Sequence, residues 1–451
     1  MNSAENVNAY FKTLSGRFLS LAQSGEEISL ALSGEHTDFV RWNQSRVRQN
    51  TTVQQLNLQL HYQAKSRQIG YEMNATSHLE TDLQTLVSLL ERARKEVEVL
   101  SEDEFVVPMQ NLGVSENFFP GKPLPLNEAV AQVAQLTEKV DMAGVLVSGP
   151  QYRAHANSKG QSHWFSTETF YFDYSLYTKN LDAENKAVKG IFAGSEWNPS
   201  ELSKELALNT KKLRLLERKN KILQRGSYRV YMEPAATSDL VGMLGWGGLS
   251  FNSFKTGGSA LNQLILKEKT LSPLVTISEN FNMGLVPPFN SLGELPSEKK
   301  FDLITEGQLT NLLVSSRSAK EYKTASNGAD PCESPRSLEM AGGKLPMDQA
   351  VSALGTGVYL SNLHYLNWSD QKSARVTGMT RFACFWVENG EIIAPIKDMR
   401  FDESLYRALG DQLESVTAEQ MIDPSTDTYY ARGLGGKKVP GLLIKDFTFT
   451  L

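Results

Sequence analysis

Hydrolytic chemistry in this chain would have to come from its histidines, cysteines and carboxylates, and these are few and scattered. The six histidines are His36, His61, His78, His155, His163 and His364. A zinc-binding helix needs two imidazoles little more than one turn apart and a metal position left open for water. No two of the six stand at such a spacing. His155 and His163 can approach each other across a hairpin, although surface or interface histidines account for them more simply. His364 is a candidate cleft residue, because it follows the Gly355-Thr356-Gly357 loop and lies close to Tyr359, Tyr365 and Trp368. A lone histidine is still more often a packing or hydrogen-bonding group than a catalyst.

Thiol and phosphate chemistry fare no better. Cys332 sits in Asp330-Pro331-Cys332-Glu333, where acidic neighbours should raise its pKa, and Cys384 sits in an apolar strand. The run Gly433-Leu434-Gly435-Gly436-Lys437-Lys438 superficially resembles a phosphate loop but lacks the Gly-Lys-Ser/Thr ending and the helix that should follow. It reads as a turn between C-terminal strands. Glu388, Glu391 and Asp398 have no distinctive paired-carboxylate spacing.

The bulk composition is that of a folded protein. At 451 residues, 40% hydrophobic and 22% charged, the chain is long enough for two or three domains. A net charge of −5 gives no general attraction for phosphate backbones. The densest basic stretch, Lys211, Lys212, Arg214, Arg218, Lys219 and Lys221, reads as a solvated helix face. Two cysteines suit a reducing compartment. Residues 1–20 are amphipathic with no apolar leader core, and no stretch reads as a membrane span. The expectation is a soluble cytoplasmic protein that binds neither nucleic acid nor membrane.

The elements that would position any site fall into two halves. Phe11, Leu14, Phe18 and Leu21 recur at helical spacing, residues 26–73 alternate as an antiparallel meander, and Ser77 with Glu80 reads as a capping box before the Leu79, Leu83, Leu86, Leu90 and Val97 face. Prolines 108, 120, 123 and 125 mark a loop. The pattern then repeats: a helix through Ala129, Val133, Leu136 and Val140, a strand at 145–147 ending at Ser148-Gly149, and a strand through Phe170, Phe172, Tyr174 and Leu176. A helix follows, capped by Asn198 with Pro199 and Glu201 and ended by Gly226. Ser33-Gly34 and Gly70 match Ser148-Gly149 and Gly190. Residues 1–225 are thus expected to form an α+β domain of two repeated units, about 1–100 and 126–225. Residues 226–451 read as a β-rich domain, with strands at 228–232, 274–277, 300–304, 309–315, 381–387 and 392–396, a short helix at 235–244 and an irregular loop at 245–258. The fold class is α+β.

Several runs in the second half resemble the TldD/PmbA family, also called peptidase U62 or modulators of DNA gyrase. The densest covers 377–392 around Phe385-Trp386-Val387-Glu388-Asn389-Gly390-Glu391, whose Asn389-Gly390 is also a strong tight-turn dipeptide on physical grounds. Others are Pro288-Phe289-Asn290-Ser291-Leu292-Gly293, Ser315-Ser316-Arg317-Ser318-Ala319-Lys320 and Gly355-Thr356-Gly357-Val358-Tyr359-Leu360.

The resemblance implies a zinc site that these residues do not supply. Catalytic members carry His-Glu-x-x-x-His on a helix, the glutamate acting as general base, with a cysteine near the C-terminus as a further ligand. The matching segment here is Ser238-Asp239-Leu240-Val241-Gly242-Met243, so Ser238, Asp239 and Met243 are degenerate zinc-motif positions. The comparable C-terminal run, Ala431-Arg432-Gly433, holds no cysteine. By resemblance this is a PmbA/TldE-like, non-catalytic subunit with no metal of its own. Zinc is expected only in a TldD-like partner, and the pair would act on unfolded peptides. Two alternatives are a homodimeric, metal-independent peptide-binding protein and a peptidase with a relocated metal site.

Overall fold

Alternation of apolar and polar residues over unusually long runs dictates the first sheet. The computed structural model describes residues 3–450; Met1 and Asn2, within the amphipathic N-terminal segment, and Leu451 lie outside the described residues. The first half runs α1 (Ala4–Leu19), β1 (Glu26–Asn43), β2 (Arg46–Ala64), β3 (Arg67–Asn74), α2 (Leu79–Glu96), β4 (Val114–Phe119), α3 (Leu126–Thr137), β5 (Asp141–Asn157), β6 (Ser162–Lys179), β7 (Asn185–Gly194) and α4 (Pro199–Leu216). Its seven strands pair in the order β3-β2-β1-β5-β6-β4, with β7 also on β6. The leading strands of the two meanders, β1 and β5, pair antiparallel at the centre, with Glu35 opposite Gln151 and Asp38 opposite Ser148. Gly70 lies opposite His61 and Gly190 opposite Tyr174, so the two glycines occupy similar places in their meanders. At Gly190 a Cβ would stand 2.4 Å from the Tyr174 hydroxyl, which is why a side chain is excluded there.

The second half runs β8 (Gly226–Met232), α5 (Pro234–Gly242), β9 (Ile277–Asn280), β10 (Lys300–Thr305), β11 (Gln308–Leu309), β12 (Leu338–Met340), β13 (Gly357–Leu360), β14 (Asn362–Asp370), β15 (Arg375–Arg381), β16 (Phe385–Glu388), β17 (Glu391–Pro395), β18 (Arg400–Ser404), β19 (Leu413–Pro424) and β20 (Gly436–Phe449). These thirteen strands form one sheet, with β20 pairing β8, β12, β18 and β19. Asn389 and Gly390 take φ of 51° and 80° between β16 and β17, the left-handed pair that a tight hairpin turn demands. The α+β class expected from the sequence is the class observed.

Several local expectations give way to longer-range contacts. Ser77 is itself left-handed, at φ 68°, so it cannot cap α2. The buried Asp82 carboxylate instead accepts from the Thr76 N–H at 2.8 Å and from the Tyr10 hydroxyl at 2.5 Å. Within the proline-marked loop, residues 114–119 form β4, because they pair in parallel with residues 162–167 of β6. The strand expected to end at Ser148-Gly149 runs on to Asn157, held on both sides by β1 and β6. Helix α4 is capped by Asn198, whose Oδ1 accepts from the Ser200 and Glu201 N–H groups, but it stops at Leu216 and not at Gly226. Beyond it Arg218 donates to the Ile392 and Ile393 carbonyls, and Lys221 pairs with Glu388. The basic stretch is therefore not simply a solvated face: Lys212 also bonds Glu233, and these cations tie α4 to the second sheet. The expected strand at 309–315 shrinks to β11: Leu313 makes only an isolated parallel bridge to Ser250, and Ser315 caps a helix, Ser316–Tyr322. The loop at 245–258 contains a short helix, Phe251–Lys255.

Those two short helices share one anchor. The buried Glu333 carboxylate accepts from the Ser250 hydroxyl (2.6 Å), the Asn252 N–H (2.8 Å), and the Ser315 N–H and hydroxyl (both 2.9 Å). Burial opposes its charge, but these hydrogen bonds outweigh it and hold the carboxyl below the usual range. Glu333→Ala should cost about 3 kcal/mol in denaturant unfolding at neutral pH, because it strands buried donors at both helix starts. The carboxylate's contribution is present above the unfolded glutamate range and disappears as pH falls through the depressed value, so the gap between wild type and variant should close in acid.

Candidate functional site: the cleft between the two sheets

Helix α5 begins at Pro234, which cannot donate and so suits a first turn, and it buries Ala236, Leu240 and Val241. That orientation turns the degenerate motif positions inward. Ser238 is fully buried and donates its hydroxyl to Asp423 Oδ2 on β19 at 2.5 Å. Asp239 accepts the Leu363 N–H at 3.2 Å, from β14. Met243, 2% exposed, packs in the core with Leu240 and Leu244. The three positions are thus occupied by a hydroxyl, a carboxylate and a thioether, each already engaged.

The C-terminal side of α5 faces a cavity of about 750 Å³ between the two sheets. One wall is the first sheet, where Ser33 on β1 stands opposite Arg153 on β5 and Ala31 stands opposite His155. The facing wall carries Gly242, Trp246, Asp423 and Lys437, and a third side is formed by Phe289, Asp330 and Arg336. Trp246 is 56% exposed at this cavity.

The cations here differ in their bonding. Arg336 directs its guanidinium onto the Pro287, Pro288 and Phe289 carbonyls at 2.8–3.2 Å, pinning that loop. Arg153 reaches only the Tyr152 carbonyl, at 2.8 Å. Burial pushes the pKa of both arginines down. Lys437 makes no hydrogen bond or ion pair among the described residues and stands opposite Asp423 in the β19–β20 register.

His155 and His163 do meet, directly opposite each other on β5 and β6. Burial, with His163 and His61 adding to it, drives the His155 pKa down to about 3, so the ring is neutral. His163 bonds Ser115 Oγ through Nδ1 at 2.8 Å and stacks on Phe289 at 5.5 Å. The other histidines are scattered: His36 lies opposite Gln54 on the β1–β2 hairpin, His61 bonds Gln68, and His78 precedes α2. His364 is half-buried on β14 with its ring 4.4 Å from that of Tyr365, outside the lining of this cavity. Burial and Arg381 lower its pKa.

Cys332 is exposed, its thiol pKa raised by partial desolvation and Asp330, while Cys384 is buried and pushed up to about 12. Neither has an activating base. The Gly433 to Lys438 run leads straight into β20 with no helix behind it. Arg432 is 3% exposed and donates to the Gly149 carbonyl at 2.8 Å and to Thr169 Oγ1 at 2.7 Å, anchoring the loop between β19 and β20 to the first sheet.

A catalytic zinc wants three protein ligands of nitrogen, thiolate or carboxylate type. Among the described residues no group of three or more histidine, cysteine, aspartate or glutamate side chains is placed to hold a metal. The donor set at α5 does not fit zinc, because one hydroxyl is committed to Asp423 and the thioether faces the core. The residues that shape the cleft instead, Arg153, Lys437, Arg336 and Trp246, carry no motif. Only the two-residue alternation of Arg153 and His155 along one strand hints that they share a face.

Asp239 provides a test of the local electrostatics. Its pKa rises to about 6, mainly through burial and further through Asp423, against the opposing Leu363 N–H and Lys437. The folded protein holds this proton more tightly than the unfolded chain does, so Asp239 costs stability as pH rises from the ordinary aspartate range through about 6. Asp239→Asn keeps an acceptor for Leu363 and should stabilise the protein by about 1–2 kcal/mol at pH 8. Thermal unfolding across pH should show that gain shrinking below pH 6.

The comparisons with known proteins agree with this layout. The sequence profile of the PmbA/TldA metallopeptidase C-terminal domain matches residues 225–451. No curated protein matches the chain. Among solved structures, the fold is similar to a protein named as a modulator of a DNA gyrase from Thermotoga maritima, at TM-score 0.78 and 15% identity, covering 98% of this chain and 100% of that one. TldE from Thermococcus kodakarensis gives TM-score 0.78 at 14% identity with the same coverage. A protein named as a modulator of DNA gyrase from Bacteroides thetaiotaomicron gives 0.76 at 15% identity, covering 100% of both chains. Since the profile takes in α5, Arg432 and the whole second sheet, the chain belongs to the PmbA/TldD metallopeptidase family.

Proposed function

We propose that this chain is a non-catalytic, PmbA/TldE-like subunit that works with a zinc-bearing TldD-like partner on unfolded peptides. The observation that carries the reading is the state of α5: where the family's catalytic helix would present two imidazoles, Ser238 is bonded to Asp423 and Met243 is buried in the core. Residues 1–225 and 226–451 act in this reading as two domains that share the cleft, and exposed strand edges provide places for an extended peptide to add by main-chain hydrogen bonds. The zinc belongs to the partner. No helix of the described residues is long and apolar enough to cross a membrane, and a cytoplasmic setting is part of the proposal.

Reconstitution tests it. The chain purified from its native cell should bring down a TldD-like protein. Alone, it should hold substoichiometric zinc by elemental analysis and leave a fluorogenic unfolded peptide intact; the mixture should cleave that peptide and lose activity with chelator. Chelator-sensitive cleavage by the lone chain would refute the proposal in favour of a relocated metal site. Peptide binding by a homodimer with no effect of any TldD-like chain would refute it in favour of a separate binding protein.

A further inference from the structure

The cleft holds an imbalance that its own residues leave uncorrected. Its two carboxylates are engaged: Asp423 accepts the Ser238 hydroxyl, and Asp330 accepts the Cys332 N–H and the Ser291 hydroxyl. Two of its cations are not. Arg153 uses one N–H on the Tyr152 carbonyl and feels the Glu35 carboxylate without closing an ion pair to it, and the Lys437 ammonium has no hydrogen bond or ion pair among the described residues. They come from opposite walls, one from β5 of the first sheet and the other from β20 of the second. A largely buried guanidinium that closes no ion pair is costly, and the structure keeps it at the edge of open volume.

His155 adds a neutral donor beside Arg153, two residues along the same strand and so on the same face. The Gln161 side chain fixes its tautomer. That amide oxygen accepts the Leu112 N–H at 3.1 Å, so its nitrogen must be the group that donates to the Gly293 carbonyl at 2.9 Å and to His155 Nδ1 at 3.2 Å. The ring proton therefore sits on Nε2, which has no protein partner. The loop carrying Gly293 packs so closely that a Cβ there would meet the His155 ring at 2.2 Å, which locks the ring in place.

We infer that this cleft binds the C-terminal carboxylate of a short peptide, gripped between Arg153 and Lys437 with His155 donating from the side. The inference rests on the peptide reading above and adds the end of the chain that is recognised. A peptide terminus suits the site better than a free anion, because the cavity of about 750 Å³ is far larger than a carboxylate and carries Val286 and Phe289 alongside the cations.

The test is a fluorescence-anisotropy titration of the full chain with an N-terminally labelled alanine-leucine hexapeptide, as free acid and as C-terminal amide. The acid should bind about tenfold or more tightly than the amide, in keeping with charge-assisted bonds to two cations. Arg153→Gln with Lys437→Gln should erase that preference, bringing the acid down to the affinity of the amide. Equal binding of acid and amide by the unaltered protein would overturn the inference and leave the peptide reading standing. Binding of neither form would sink both. Displacement of both forms by inorganic phosphate would assign the cations to a free anion and overturn the inference. The acid and amide comparison uses the unaltered chain, so it decides the matter even where the double variant fails to fold.

Discussion

The burial of α4 between the two sheets is the contact on which the rest of the architecture depends. Leu202, Leu206, Leu213 and Leu216 share one continuous core with Trp42, Phe172 and Tyr174 from the first sheet and Tyr231, Tyr359, Phe385 and Leu443 from the second. Each fully buried leucine contributes about 1.5–3 kcal/mol, so this joint is hydrophobic in the manner of a domain interior and not of a transient contact. One buried polar group beside it is matched as well: the Tyr174 hydroxyl donates to Glu205 at 2.9 Å and accepts from Asn209 at 2.8 Å. The walls of the cleft are therefore held at a fixed separation by packing some distance from the cleft itself.

That rigidity bears on the side chains of α5. Ser238 and Met243 are core residues, so replacing either with histidine would force a large polar ring into close-packed surroundings. Near the other end of the chain, the buried Arg432 guanidinium bonds a carbonyl and a hydroxyl and lies 5.6 Å from the Tyr171 ring.

What could be read from the sequence was the chemistry that acts over a few residues. Asn198-Pro199 announced a helix start, Asn389-Gly390 a hairpin, and the alternation in 26–73 a meander, because each depends on local backbone preferences. Strand β4 was invisible, since the strand it pairs with lies some fifty residues on and its flanking prolines imitate a loop. Ser77 misled because Asp82 and Tyr10 supply a better network than a capping box. The presence of a charged cleft was not legible, for Arg153 and Lys437 are ordinary single cations until β5 and β20 are brought face to face.

Strand β20 lies near the C-terminal end of the described residues and yet occupies the middle of its sheet, flanked by β8 and β12 and touching β18 and β19. On a ribosome, the first sheet can close once α4 has emerged, whereas β8, its partner-to-be exposed at one edge, must wait for more than two hundred further residues. Throughout translation that bare edge is a template for unwanted pairing. Nascent chains of this protein should thus be natural clients of ribosome-associated chaperones.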